Sequence, residues 1–232
     1  MDYQWKATLL LVAVVLGLSL IARLIIFSSS AMRSVRVYNQ EKDSDKKQSD
    51  RYKPILMAND RIALACYLAF LLGIAPFIIT VSVDSAWNIV VDILLIIFIY
   101  DLLYYVTHRF LFHGNGYFRR IHALHHQARS PTLIDARYVH PLELFIGIAL
   151  FIVTASLVGF LNGPVNVLSL AISFLIFVHV NLLNHTHVDL PYFPYKTLTW
   201  ISEKHAIHHE NMHRGNFATI TLFYDKLFGT YE

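Results

Sequence analysis

Apolar residues fall in five long blocks, 7–27, 62–82, 86–106, 143–161 and 165–183, separated by polar or charged stretches. Each block is close to the length of about 20 residues that a helix needs to cross a hydrocarbon core. The pattern therefore predicts an all-α integral membrane protein with about five membrane-spanning helices. The first block is longer than a signal-peptide core and lacks a clear small-x-small cleavage site, so it reads as an uncleaved anchor. The links at 83–85 and 162–164 are short, which predicts two helical hairpins, 62–106 and 143–183.

Charge then orients these spans. Arg33, Arg36, Lys42, Lys46, Lys47, Arg51 and Lys53 lie between the first and second blocks. Arg109, Arg119, Arg120, Arg129 and Arg137 follow the third, and Lys196, Lys204, Arg214 and Lys226 follow the fifth. The two short links carry no Lys or Arg, so the positive-inside rule places all three basic segments in the cytosol and the N terminus outside. The polar run 28–53 reads as a solvated cytosolic linker. The chain thus divides into an N-terminal membrane anchor helix with a charged linker, residues 1–60, and a membrane domain, residues 61–232.

Composition narrows the class. The 232 residues are 56% hydrophobic and only 15% charged, against about 25% charged in soluble domains, which excludes an ordinary water-soluble or disordered chain. Net charge is +3, and no face of clustered Lys and Arg with interleaved aromatics marks a nucleic-acid surface. Cys66 is the sole cysteine, so an intramolecular disulfide or a four-Cys cluster is impossible.

The unusual residue is histidine. All 13 lie between His108 and His213, and all but His179 fall in two segments, 108–140 and 185–213, that the charge pattern places on one membrane face. His108 and His113 leave the third block; His122, His125 and His126 form His-x-x-His-His, and His205, His208 and His209 repeat it. On a helix, residues i, i+3 and i+4 share one face, so each repeat is expected to aim three imidazoles at one volume. A lone histidine at an interface, such as His179 or His213, is ordinarily just a satisfied polar residue. So many imidazoles in one poorly solvated volume would instead repel when charged and lack partners when neutral, and a metal ion removes both problems. With His185, these are too many ligands for one ion and suit two. Imidazole accepts iron, zinc, copper or nickel, so ligand type alone does not choose among them. Asp92, Asp101, Asp135, Glu143, Glu203 and Asp225 are the carboxylates available to hold the rings by their second nitrogens, and Asp101 lies two turns before His108.

Two other readings compete. His209-Glu210-Asn211-Met212-His213 matches H-e-x-x-H, the signature of a membrane zinc hydrolase or peptidase with Glu210 as base. It accounts for two histidines, leaves the first cluster unexplained, and has no histidine downstream for a third ligand. A metal transporter would carry polar ligands within several spans near mid-membrane, whereas only His179, Asp92 and Asp101 lie within spans at all and the boxes lie outside.

The ordered set of motifs resembles the fatty acid hydroxylase/sterol desaturase superfamily over residues 93–232. It comprises His108 and His113, then His122, His125 and His126, then Arg137-x-x-His140-Pro141-Leu142-Glu143. His185 and the triplet His205, His208 and His209 follow, and the chain closes on Gly215-Asn216-Phe217 and Tyr224-Asp225-Lys226-Leu227-Phe228-Gly229-Thr230-Tyr231. Tyr224 stands where that group often has Trp, Ala218 where it often has Gly, and Asn181 where some members place a histidine. The third box accordingly rests on His185, with His187 or His179 as substitutes. The resemblance implies an integral-membrane, non-haem di-iron oxygenase that hydroxylates or desaturates a lipid, with the boxes as iron ligands and O2 as co-substrate. Zinc can take the place of the two iron ions in an isolated form. His140, common in sterol-type members, tilts the substrate toward sterol-like or other bulky lipids, alongside fatty-acyl chains. His140, His187, His179, Asp101 and Asp225 are the secondary candidates for the metal or its surroundings. A separate electron donor, cytochrome b5-like or a ferredoxin with its reductase, is implied, because no dinucleotide-binding motif or haem-binding domain is evident. The expected location is the endoplasmic reticulum in a eukaryote or the inner membrane in a bacterium, with the boxes facing the cytosol.

Overall fold

Capping residues decide where the apolar blocks become helices. The computed structural model describes residues 3–82, 85–190, 192–193 and 195–232; residues 83 and 84 of the expected link 83–85 lie outside this set. Its helices are α1 (Trp5–Ser28), α2 (Ser30–Gln48), α3 (Tyr52–Gly73), the single turn α4 (Ala75–Ile78), α5 (Ala86–Val106), α6 (Tyr117–His122), α7 (Pro141–Leu161), α8 (Val167–Leu183), α9 (Tyr195–Glu210) and α10 (Phe223–Leu227). Ser29, Ser85 and Asn166 accept backbone N–H bonds at the starts of α2, α5 and α8. Proline at the first position of α7 has no N–H to leave unpaired there. Helices α1, α3, α5 with its continuation to Phe112, and α7 are long and apolar enough to cross a membrane, and α8 is a shorter apolar helix of 17 residues. The chain is therefore an all-α membrane protein, and the expected hairpins interleave rather than pack as pairs: α3 packs on α7, α7 on α5, α5 on α8 and α8 on α1.

The hairpin tips meet. Strand β1 (Ile79–Thr80) pairs in parallel with β2 (Val165–Asn166), Ile79 opposite Val165. The Gln4 N–H donates to the Pro76 carbonyl at 2.8 Å, so the start of α1 lies at the same end. Every long loop bearing histidine lies at the opposite end, beyond the last turns of α5 and α8. Between the ends, α5 packs on α7 and α8, α1 on α8, and α3 on α7. Tyr100, Phe151, Ile96, Leu170 and Ala171 form the buried centre of the bundle.

The block at 62–82 is displaced in the structure. Helix α3 starts ten residues earlier and stops at Gly73, because Pro76 has no N–H for the ladder and its ring would clash with the preceding turn. The polar first turns of α3 lie in the histidine end, where the Asn59 side chain donates to the carbonyls of Arg137 and Val139, both at 2.9 Å. Most of the segment 28–53 is helix α2, with exposed Lys and Glu but with Asn39 and Asp43 buried. Asn39 bonds the backbone of His187 in both directions, Asp43 accepts from the Ile134 N–H, and Lys46 pairs with buried Asp135. Sequence periodicity could not foresee these tertiary anchors, because each is a single polar side chain in a polar run.

Gly159 lets α7 approach α4. A Cβ there would sit 2.8 Å from Ile78 Cβ and 3.1 Å from the Ile78 carbonyl oxygen. Gly159→Ala is expected to destabilise the protein by about 1–3 kcal/mol, an overpacking cost that outweighs the helix-propensity gain. A lower melting temperature in detergent is the measurement, with Gly17→Ala, in the interior of α1 where no atom lies within 4 Å, as the control expected to hold or raise it.

Candidate metal centre

Helix α5 does not end where its α-helical hydrogen bonding ends. It widens into a π-helical turn, Thr107–Phe112, and the His113 N–H donates to the His108 carbonyl at 2.9 Å. In an α-helix five residues advance about 500°, which would leave His108 and His113 on different faces. The i→i+5 turn brings the chain back to nearly the same face, so the two rings lie 4.9 Å apart.

The two His-x-x-His-His repeats behave alike, and not as their spacing suggested. His122 ends α6, and His125 and His126 follow in a 3₁₀ turn; His205, His208 and His209 lie in the last two turns of α9. The first repeat sends His122 and His126 to one group, with His108, His113 and His208. The second sends His205 and His209 to the other, with His185 and His125. Each repeat thus gives its outer pair, four residues apart, to one group and its middle histidine to the other. The expectation that all three rings share one volume is corrected: i and i+4 converge, whereas i+3 is turned aside enough to reach a neighbouring volume. Within each group the candidate ligand atoms lie within 4.8 Å of one another. The groups adjoin, with the His126 ring stacked on His209 at 4.8 Å.

Hydrogen bonds on the far side of the rings fix their protons. Nδ1 of His108 donates to the Phe217 carbonyl at 2.7 Å, His113 to Met212 at 2.7 Å and His208 to Gly215 at 2.7 Å. His185 donates to Asn181 at 2.9 Å and His209 to Ala128 at 3.0 Å. His122 uses the Glu143 carboxylate at 2.7 Å. A carbonyl can only accept, so the proton sits on Nδ1 and leaves Nε2 a bare lone pair. His108 and His122 therefore turn two lone pairs on each other at 3.0 Å, and Nε2 of His113 and His208 is buried with no partner. In the second group Nε2 of His185 lies 3.0 Å from both His125 and His205.

Lone pairs converging like this fit a shared cation. Two nitrogens about 2.1 Å from one ion and at a right angle are about 3.0 Å apart, whereas a tetrahedral angle would spread them to about 3.4 Å. The shortest separations are those of nitrogens that can share one ion, and the all-imidazole donor set is compatible with iron.

Burial keeps the rings neutral. It pushes His113 and His185 down to about 4 and His208 down to about 3. Burial, and then the neighbouring imidazoles, hold His122, His125, His126, His205 and His209 well below the ordinary histidine range. An unfolded histidine takes up its proton near pH 6.5 and these rings do not, so the unfolded state binds more protons at acid pH. Stability is expected to be complete above about pH 6.5 and to fall as pH drops from there toward about 4. Protons compete with metal for the same nitrogens, so loaded protein should release its metal over that window. Metal content after equilibration at each pH is the measurement, and full retention at pH 4 would contradict the neutral-ligand account.

The remaining candidates lie elsewhere. His140 caps α7, its Nδ1 accepting the Leu142 N–H at 3.2 Å. His187 packs edge-on against Tyr38, and His179 is exposed on α8. Neither lies in either imidazole group, whereas His185 lies in the second. Asn181 orients His185 through its carbonyl, and its side chain accepts from the Thr219 hydroxyl at 2.7 Å. Asp101 and Asp225 touch no imidazole and instead fasten the closing loop. Asp101 accepts from the N–H groups of Thr219, Ile220 and Thr221 and from the Thr221 hydroxyl. Asp225 accepts from the N–H groups of Phe217 and Ala218 and from the Thr230 hydroxyl. That loop carries the carbonyls of Gly215 and Phe217. Its turn is made by Asn216, left-handed at φ 61°, with Gly215 tight against the Thr230 backbone. Of the other carboxylates named, Asp92 bonds Asn162 at the hairpin tips and Asp135 holds Thr132, Tyr52 and Lys46; only Glu143 touches an imidazole. The five orienting carbonyls gave no sequence signal, since any residue supplies one.

H-e-x-x-H fails on helix geometry. Helix α9 ends at Glu210, so His213 lies beyond the turn that would align it with His209, and both Glu210 and His213 are exposed.

Comparison with known proteins covers this same region. Methylsterol monooxygenase 1 of Rattus norvegicus is 32% identical over 137 residues, 56% of this chain and 43% of that protein. A very-long-chain aldehyde decarbonylase of Oryza sativa is 29% identical over 150 residues, 62% of this chain and 54% of that protein. A putative methylsterol monooxygenase of Dictyostelium discoideum is 31% identical over 137 residues, 56% of this chain and 46% of that protein. The chain thus spans about half the length of the curated relatives it matches. No solved structure matches. The Fatty acid hydroxylase family profile matches residues 93–230, which is more than half of the chain and includes all nine clustered histidines. With the ordered boxes folded into two adjoining imidazole groups and the profile spanning both, the chain belongs to the fatty acid hydroxylase family.

Proposed function

We propose that this protein is an O2-dependent membrane-lipid oxidoreductase that hydroxylates or desaturates a C–H bond of a sterol-like or fatty-acyl lipid. His108, His113, His122, His126 and His208 would hold one iron ion, and His125, His185, His205 and His209 the other. The observation that carries the reading is the pairing of these groups with a cavity of about 110 Å³ on their bundle side. It is lined by His125, His185 and Glu143 and by the apolar surfaces of Tyr100, Leu144, Gly147, Ile148 and Phe177. The names of the relatives, a methylsterol monooxygenase and an aldehyde decarbonylase, support lipid chemistry at such a centre.

When bound, the paired iron supplies the redox chemistry that activates O2 toward an unreactive C–H bond. The chain's own part is positional. The carbonyls of Phe217, Met212, Gly215, Asn181 and Ala128 hold the Nδ1 protons and so present Nε2 inward. Glu143 does the same for His122. Phe217 and the loop from Gly215 to Thr221 cover the first group from solvent, which limits water at the reacting atom. The apolar cavity would receive the hydrocarbon from the bilayer.

Electrons would come from a separate cytochrome b5-like protein or a ferredoxin with its reductase. The positive-inside bias supports a cytosolic position for the histidine end, in the endoplasmic reticulum or a bacterial inner membrane. The test supplies iron-loaded protein with a reducing donor, 18O2 and a panel of sterols and acyl lipids. We expect O2 consumption with a labelled hydroxylated product or a new double bond; consumption of no O2 across the panel would overturn the reading.

A further inference from the structure

A second apolar cavity lies farther from the histidines, in a cleft between α1, α3, α7 and α8 whose outer rim is formed by the exposed Val12 and Leu16. It has a volume of about 210 Å³ and is bordered within by Leu11, Val15, Tyr67, Phe151, Leu170 and Phe174, with nothing charged among its walls. The cavity beneath the histidines has about 110 Å³. Two rings separate them. Phe177 lines the upper cavity and Phe151 the lower, and they stack at 4.7 Å with their planes 20° apart. Tyr100 closes the edge, packing against Phe177 at 5.1 Å and Phe151 at 6.0 Å, and Phe174 packs against Phe151 at 5.9 Å. All three residues of the wall, Phe151, Phe177 and Tyr100, are buried, so the wall is an internal partition rather than part of the lipid-facing surface. Beside it, Gly147 keeps the upper cavity open, since a Cβ there would meet only Tyr104 Cε2, at 4.0 Å.

We propose that the Phe151–Phe177 stack is the stop that sets how long a hydrocarbon fits beneath the metal centre, and that removing it joins the two cavities into one longer slot. The inference rests on the proposed reading of the site as one that receives hydrocarbon. The joined space would be about three times the upper cavity alone. The lower walls are apolar, and the upper ones are apolar away from His125, His185, Glu143 and Asn181, so a longer chain entering the slot exchanges lipid contacts for protein contacts at a fixed position relative to His125 and His185. Each added methylene that finds room should strengthen binding by about fourfold if it leaves water, and by less if it leaves lipid.

The test titrates straight-chain primary alcohols of increasing length into full-length, iron-loaded protein. It reads affinity from the perturbation of the iron's optical spectrum and, separately, reads product with donor and O2. Phe177→Ala, Phe151→Ala and the gentler Phe177→Leu and Phe151→Leu are each expected to move the best-bound length upward. Gly147→Val, which fills the upper cavity, should move it downward, and Phe160→Ala on the lipid-facing side of α7 should not move it. An unchanged optimum in leucine or alanine variants that retain iron would overturn the proposal, as would a wild-type spectrum that no alcohol perturbs. Binding that shifts with the variants while no O2 is consumed would instead uphold the partition and count against the oxygenase.

Discussion

His208→Ala is expected to abolish lipid oxidation and to empty the first imidazole group, with residual turnover at background. The ring is fully buried, its Nδ1 is tied to the Gly215 carbonyl at 2.7 Å, and its Nε2 has no protein partner. It is the one ring that the second repeat contributes to that group, beside His108, His113, His122 and His126. Loss of an orienting partner alone costs about 10–100-fold in metal affinity, and Glu143→Gln should fall in that range. Loss of the ligand itself should exceed it. Metal content per chain and product formation in the same preparation are the measurements. Glu210→Gln and His213→Ala, at exposed positions outside both groups, should retain metal and activity. Hydrolase activity lost with Glu210→Gln but kept in His122→Ala would point to the H-e-x-x-H reading instead.

Asp101→Ala should have the largest effect on stability. The carboxylate is buried in α5 and takes the N–H groups of Thr219, Ile220 and Thr221 plus the Thr221 hydroxyl, at 2.6–3.1 Å. Truncation leaves three backbone donors without an acceptor. At about 1–3 kcal/mol for each buried unsatisfied group, the expected loss is about 3–6 kcal/mol after partial rehydration of the loop. Release of the loop also withdraws Phe217 from His108, so metal affinity should fall with stability. Asp101→Asn keeps one acceptor oxygen and should lie between. Thermal unfolding with and without metal separates the two losses, and a variant as stable as the parent would show that the loop is held by other means.

The five apolar helices were legible because hydropathy over some twenty residues is a strong, local signal. It misplaced only α3, where a proline interrupts an apolar run and charged residues occupy helical turns. The nine histidines of the two groups were legible as well, since no other residue type accounts for their density. Their division between the groups was not. It depends on a π turn after Val106 and a 3₁₀ turn after Leu124, and these differ from an α-helix by single hydrogen bonds. Asp101 and Asp225 were legible as polar residues out of place but not as loop anchors, because their partners are backbone amides more than a hundred residues away in one case and seven or eight in the other. Helix α2 was hidden by its composition; burial of Asn39 and Asp43 is decided by what the distant segments around Ile134 and His187 offer them.

The exchange of middle histidines makes the two repeats a clasp. Sliding either by one position would hand each ring to the wrong neighbour, so damage to one repeat reaches both halves at once. Replacing His125 or His208 is therefore felt first in the group opposite the rest of its own repeat.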